Sequence, residues 1–119
     1  MAITCLGCSL GHITNAATLY GEALKFERLG DAKMRDLHLA RALGEIRQAE
    51  EQEPFEETRQ QIRGIRKRIE AAVAANLPLP DLTAELNSKA AEILQQLREH
   101  PELCPTCQRA MVEGEIDHE

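Results

Sequence analysis

The stretch Pro54-Phe55-Glu56-Glu57-Thr58-Arg59-Gln60-Gln61-Ile62-Arg63-Gly64-Ile65-Arg66-Lys67-Arg68-Ile69-Glu70-Ala71-Ala72-Val73 decides the fold class. From Ile62 onward its apolar residues recur at intervals of 3, 4 and 3, through Ile65 and Ile69 to Ala72 or Val73. That period places them on one stripe of an α-helix, resembling an a/d seam, and it fits no strand. Pro54 suits a helix's first turn, whereas Asn76-Leu77-Pro78-Leu79-Pro80 is too proline-rich to continue one, so the helix is expected over 54–76.

The same signals repeat on both sides. Ala16, Ala17, Tyr20, Ala23 and Leu24 recur at helical spacing between Thr14, a plausible N-cap, and Gly30, a plausible terminator. A first helix is expected over 14–29. Asp31 can cap a second, over 31–52, carrying Met34, Leu37, Leu39, Ala40, Leu43 and Ile46. Asp81 can cap a fourth, over 81–99, with Leu82, Leu86, Ala90, Ile93 and Leu97 on one face. No strand-like alternation persists. Short links favour antiparallel neighbours, so the expected architecture is all-α, a compact bundle of about four helices in one domain spanning 1–119. Composition agrees. The 119 residues include two Phe, one Tyr and no Trp, so the core must be built from Ala, Leu and Ile. The last segment, 112–119, is acidic and expected to fray.

The four cysteines form two pairs, Cys5-Leu-Gly-Cys8 and Cys104-Pro-Thr-Cys107, with 95 residues between them. In a reducing compartment, thiols at this spacing read as metal ligands before disulfides. A tight turn, favoured here by Gly7 and Pro105, lets both thiolates of a pair reach one ion at about 2.3 Å. Two facing turns would close a tetrahedral shell of Cys5, Cys8, Cys104 and Cys107 around Zn²⁺, joining the two terminal knuckles in one site. An iron–sulfur cluster is the alternative for four thiolates, and thiol redox chemistry is another, although no βαβ pattern accompanies either pair. His12, four residues after Cys8, is a candidate for a hydrogen bond to a bound thiolate. The phrase Cys5-x-Gly-Cys8-x-x-x-His12, with a second CxxC downstream, is similar to the ligand pairs of nickel–iron hydrogenase large subunits. The chain is far too short for that fold, and Arg109 and Ala110 stand where the family has a histidine. The hairpin from Ala16 to Asp31 resembles a tetratricopeptide unit through its small residues and the Gly30 turn. Such units stack in arrays, and no second copy is visible.

Charge narrows the partners. Fourteen Lys and Arg against twenty Asp and Glu give a formal charge of −6, which repels nucleic acid as a whole. Arg59, Arg63, Arg66, Lys67 and Arg68 are the one basic concentration and could contact phosphates, making a small nucleic-acid-binding regulator the alternative. Pairing with Glu56, Glu57 and Glu70 on the same helix is the simpler expectation. Glu45, Glu50, Glu51 and Glu53 make an acidic end to helix two, adverse to the helix dipole. No catalytic triad, phosphate loop, dinucleotide fingerprint or pair of Glu-x-x-His motifs is present. No apolar run reaches the roughly 18 residues of a membrane span, and Met1-Ala-Ile-Thr-Cys5 lacks the features of a signal peptide. The sequence thus leads to a cytoplasmic, non-enzymatic, zinc-stabilised module. It would bind another protein or itself through its Ala-rich first helix, its Ile seam or its acidic surface.

Overall fold

A computed structural model describes residues 4–104. They form four helices, α1 (Leu6–Arg28), α2 (Ala32–Gln52), α3 (Glu56–Ala74) and α4 (Thr83–Glu99), followed by a 3-10 turn at Pro101–Leu103. No strand occurs among the described residues. No helix among them is long and apolar enough to cross a membrane.

The α1–α2 hairpin is the largest contact. α4 also packs against α1, α3 packs against α2, and a thinner α3–α4 contact completes the bundle. Each helix contributes a stripe to one core: Ile13, Ala16, Tyr20 and Ala23 from α1; Leu39, Ala42, Ile46 and Ala49 from α2; Ile62, Ile65 and Ile69 from α3; Leu86 and Ile93 from α4. Small residues on α1 and α2 let their backbones approach closely, which explains why the alanine-rich hairpin buries more than the others. Val73, at the end of the α3 seam, and Leu37 on α2 are half-exposed instead.

The links are set by local chemistry. Gly30 ends α1 at φ +74°, a left-handed conformation that glycine adopts without steric cost. The Gly30 N–H then reaches the Glu27 carbonyl and the Asp31 N–H reaches that of Phe26, closing a Schellman motif. Asp31 caps α2 by accepting from the Met34 N–H at 3.1 Å. Asn76 repeats the device after α3 at φ +54°, with Asn76 N–H to the Val73 carbonyl and Leu77 N–H to that of Ala72. The proline-rich link is fastened to α1. The Tyr20 hydroxyl donates to the Pro80 carbonyl at 2.5 Å, and the Leu79 N–H donates to the Glu27 carboxylate at 3.1 and 3.3 Å. Leu82 occupies the N-cap position of α4, with the Asp81 carboxylate accepting from the Thr83 N–H and hydroxyl.

One expected boundary is corrected. α1 begins at Leu6, and Thr14 lies inside it as the residue whose carbonyl accepts from the Thr18 hydroxyl. Leu6, Ser9 and Ile13 are buried and extend the stripe of Ala16 and Tyr20 upstream at the same spacing. Gly7 is therefore a helical residue in the first turn of α1 and not the glycine of a loop knuckle.

Candidate metal centre and the charged cleft beside it

That early start places the first cysteine pair on a helix N-terminus. Cys5 is the N-cap of α1, and its N–H donates to the Gln52 carbonyl at 2.8 Å, tying the beginning of α1 to the end of α2. Cys8 follows in the first turn, half-buried. The chain returns to this point after α4. His100 ends that helix, and the 3-10 turn delivers Cys104, buried, to Cys5 with their sulfurs 3.4 Å apart. This separation is well beyond the roughly 2.05 Å of a disulfide. It is close to the edge of about 3.8 Å expected between thiolates that share one ion at about 2.3 Å. The Gly7 N–H, one of the donors a helix start leaves without an intrahelical acceptor, donates to Cys104 Sγ at 3.2 Å. The donor chemistry of the pair suits a soft-ligand metal.

Cys107 lies outside the described residues. Among the described residues no three Cys, His, Asp or Glu side chains converge as a metal-ligand group. Cys5 and Cys104 are the pair that the fold brings together. His12 meets a carboxylate through one ring nitrogen. Its Nδ1 lies 2.6 Å from the Glu45 carboxylate on α2, so that nitrogen serves the α1–α2 contact.

Close to Cys5 along the fold is a buried carboxyl, one of the four acidic residues at the end of α2. Glu53 has no exposed area. The Ser9 hydroxyl lies 3.2 Å from both its carboxyl oxygen and the Ala49 carbonyl, and the Phe55 N–H donates to its other oxygen at 3.4 Å. Burial pushes the Glu53 carboxyl above the usual range, against the smaller opposing effects of the Phe55 N–H and Ser9. The geometry agrees, because one hydroxyl proton cannot serve two acceptors. A protonated Glu53 that donates to Ser9, which in turn donates to Ala49, satisfies the whole chain. A carboxyl raised in the fold favours folding at low pH and opposes it once ionised, so its contribution falls as pH rises from the unfolded value of about 4.3 through the raised one. Glu53→Gln keeps a donor for Ser9 and cannot ionise. In urea unfolding it should match the parent near pH 4 and exceed it at pH 8. Equal stability differences at both values would show that Glu53 does not titrate in this way.

The acidic end of α2 and the basic stretch of α3 answer each other. The Glu50 side chain is 6% exposed and accepts from Arg63 Nε at 3.1 Å and from Arg66 Nε and Nη2 at 2.5 and 3.0 Å. Arg66 Nη1 donates to Glu70 at 2.9 Å, and Arg47 of α2 reaches the same carboxylate at 2.8 Å. Arg59 donates Nη1 to Glu56 and both Nε and Nη2 to the Glu53 carbonyl. Arg68 pairs with Glu85 on α4. Four of the five cations of the basic stretch are thus held by acceptors of the bundle, while Lys67 is exposed without an ion pair among the described residues. The Glu70 and Glu56 pairings follow the local expectation. Glu50 does not, since 13 and 16 residues separate it from its arginines.

The chain matches no family model, no curated protein and no solved structure. What it does must be argued from its own residues.

Proposed function

We propose that this chain is a non-enzymatic helical module whose two ends are clasped by Zn²⁺ and whose work is to bind another protein. Cys5, Cys8, Cys104 and Cys107 would hold the ion. The observation that carries the reading is the 3.4 Å approach of Cys5 and Cys104 across 99 residues of sequence. Two buried thiols brought together over that distance, one of them accepting a helix-start N–H, support a reading of thiolate ligation. A closed four-thiolate site contributes to folding directly and leaves no open position for chemistry at the metal.

The binding role is supported by an apolar groove of about 370 Å³ where α2 meets the end of α3 and the link after it. Leu39, Leu43, Val73, Leu77 and Leu79 line it, and Val73 and Leu77 are 48% and 61% exposed.

Elemental analysis of the full chain purified without chelator, with an absorbance scan of the same sample, tests the clasp. The expected result is about one zinc per chain and no visible band. Iron with a broad visible absorbance would replace zinc by a cluster. Four titratable thiols with no metal would overturn the clasp and favour thiol redox chemistry.

A further inference from the structure

We propose that the cleft between α2 and α3 binds a small phosphate-bearing molecule, with Arg47 and Arg63 as its direct ligands and Glu50 and Arg66 as positioning residues. The cleft is open to solvent and has a volume of about 610 Å³, within the roughly 300–1,000 Å³ typical of small-molecule sites. Arg47 from α2 and Arg59, Arg63 and Arg66 from α3 line it. Glu50 and Glu51 are the carboxylates among its described lining residues, and Glu56 and Glu70 pair with its arginines, so what it offers an anion is unused N–H donors.

The hydrogen bonds separate the arginines into two kinds. All three guanidinium nitrogens of Arg66 are committed to Glu50 and Glu70, and all three of Arg59 to Glu56 and the Glu53 carbonyl. Arg63 commits Nε alone, to Glu50, and Arg47 commits one Nη alone, to Glu70. The two Nη groups of Arg63, and Nε with the second Nη of Arg47, have no acceptor among the described residues. Glu50 is nearly buried, with its oxygens engaged by two guanidiniums. It therefore fixes Arg63 in place and offers little repulsion to an incoming anion. Counted with Arg47 and the Glu70 carboxylate that Arg66 and Arg47 share, the group of three arginines and two glutamates keeps one net positive charge.

Two arginines on different helices, each with spare donors, suit a tetrahedral oxyanion. A phosphate presents acceptors on every side and can take both forks at once, whereas one carboxylate is matched by a single fork. No aromatic side chain lines the cleft among the described residues, so these offer no platform for stacking a base. The exposed Glu51 on the rim opposes a long polyanion. The chemistry thus favours a compact phosphate compound over a nucleic acid.

Pyrophosphate titrated calorimetrically into the full chain at low salt is the test. Saturable one-to-one binding is expected, weakened about tenfold or more by Arg47→Gln and by Arg63→Gln, as for loss of charge-assisted hydrogen bonds. Lys67→Gln, an exposed cation outside the cleft, should leave binding unchanged. The Arg47 side chain is 59% exposed, so Arg47→Gln reports on binding even if Arg63→Gln unfolds. Absence of saturable heat would overturn the proposal, as would equal weakening by all three variants. So would citrate binding as tightly as pyrophosphate. A short DNA duplex that displaces pyrophosphate with a steep salt dependence would instead make the basic stretch a nucleic-acid contact.

Discussion

If Zn²⁺ clasps the ends as proposed, Cys104→Ser is expected to lose that metal and about 4 kcal/mol of unfolding free energy, roughly 20 °C in Tm. The magnitude follows from closing a loop of about 100 residues, treated as a cross-link of the unfolded chain. Serine is the informative replacement. Its hydroxyl still accepts from the Gly7 N–H that now reaches Cys104 Sγ, so the small hydrogen-bonding contribution survives while the soft ligand is lost. Metal content, thermal unfolding and far-ultraviolet circular dichroism on the same preparation separate the outcomes. A variant that keeps native helicity and parent stability without metal would show that the ends are held by packing alone. A destabilised variant that had no metal to lose, compared with an equally metal-free parent, would place the cost in the protein contacts of Cys104.

Tyr20→Ala should cost about 3–5 kcal/mol, the range for removing a large buried side chain. Tyr20 has no exposed area and is the largest fully buried residue of the described chain. Its ring packs within the core of α1, and its hydroxyl holds the Pro80 carbonyl. Burial pushes the phenol well above its ordinary value, so it remains a donor throughout the physiological range. Tyr20→Phe keeps the ring and should cost about 1 kcal/mol, the usual net value of one hydrogen bond. Urea unfolding of both variants measures the difference. With total stabilities on the order of 5–15 kcal/mol, the alanine variant would stand near the limit of folding. A loss under 1 kcal/mol for Tyr20→Ala would contradict the packing of α1 against the proline-rich link.

The legible parts of the fold share a physical character. Gly30 with Asp31, the proline-rich stop after Asn76, and the 3-4-3 spacing of Ile62, Ile65 and Ile69 act within one or two helical turns. The hydrogen bonds and side-chain faces they specify are local. The start of α1 shows where two local signals compete. Leu6, Ser9 and Ile13 continue the apolar stripe at helical spacing, but Gly7 between two cysteines reads as a turn. Burial of Leu6 and Ile13, together with the bond from the Cys5 N–H to Gln52, resolves the conflict in favour of helix.

Glu50 marks the limit of such reading. In the sequence it is one of four acidic residues at an unfavourable helix end. In the fold it is a buried acceptor for Arg63 and Arg66, because the end of α2 lies beside the first turns of α3. Glu45 and Glu53 are likewise taken up, by His12 and Ser9. No spacing along the chain encodes these partners.

Helix content, three of the link motifs and the stock of thiols were thus settled by neighbours within a few residues. The crossing of α1 with α2, and the return of the chain after α4, settled the rest. Those arrangements bring Cys104 to Cys5 and Arg47 to the arginines of α3. They arise from packing four apolar stripes into one core, an outcome that depends on all the helices together and leaves no periodic trace in any one of them.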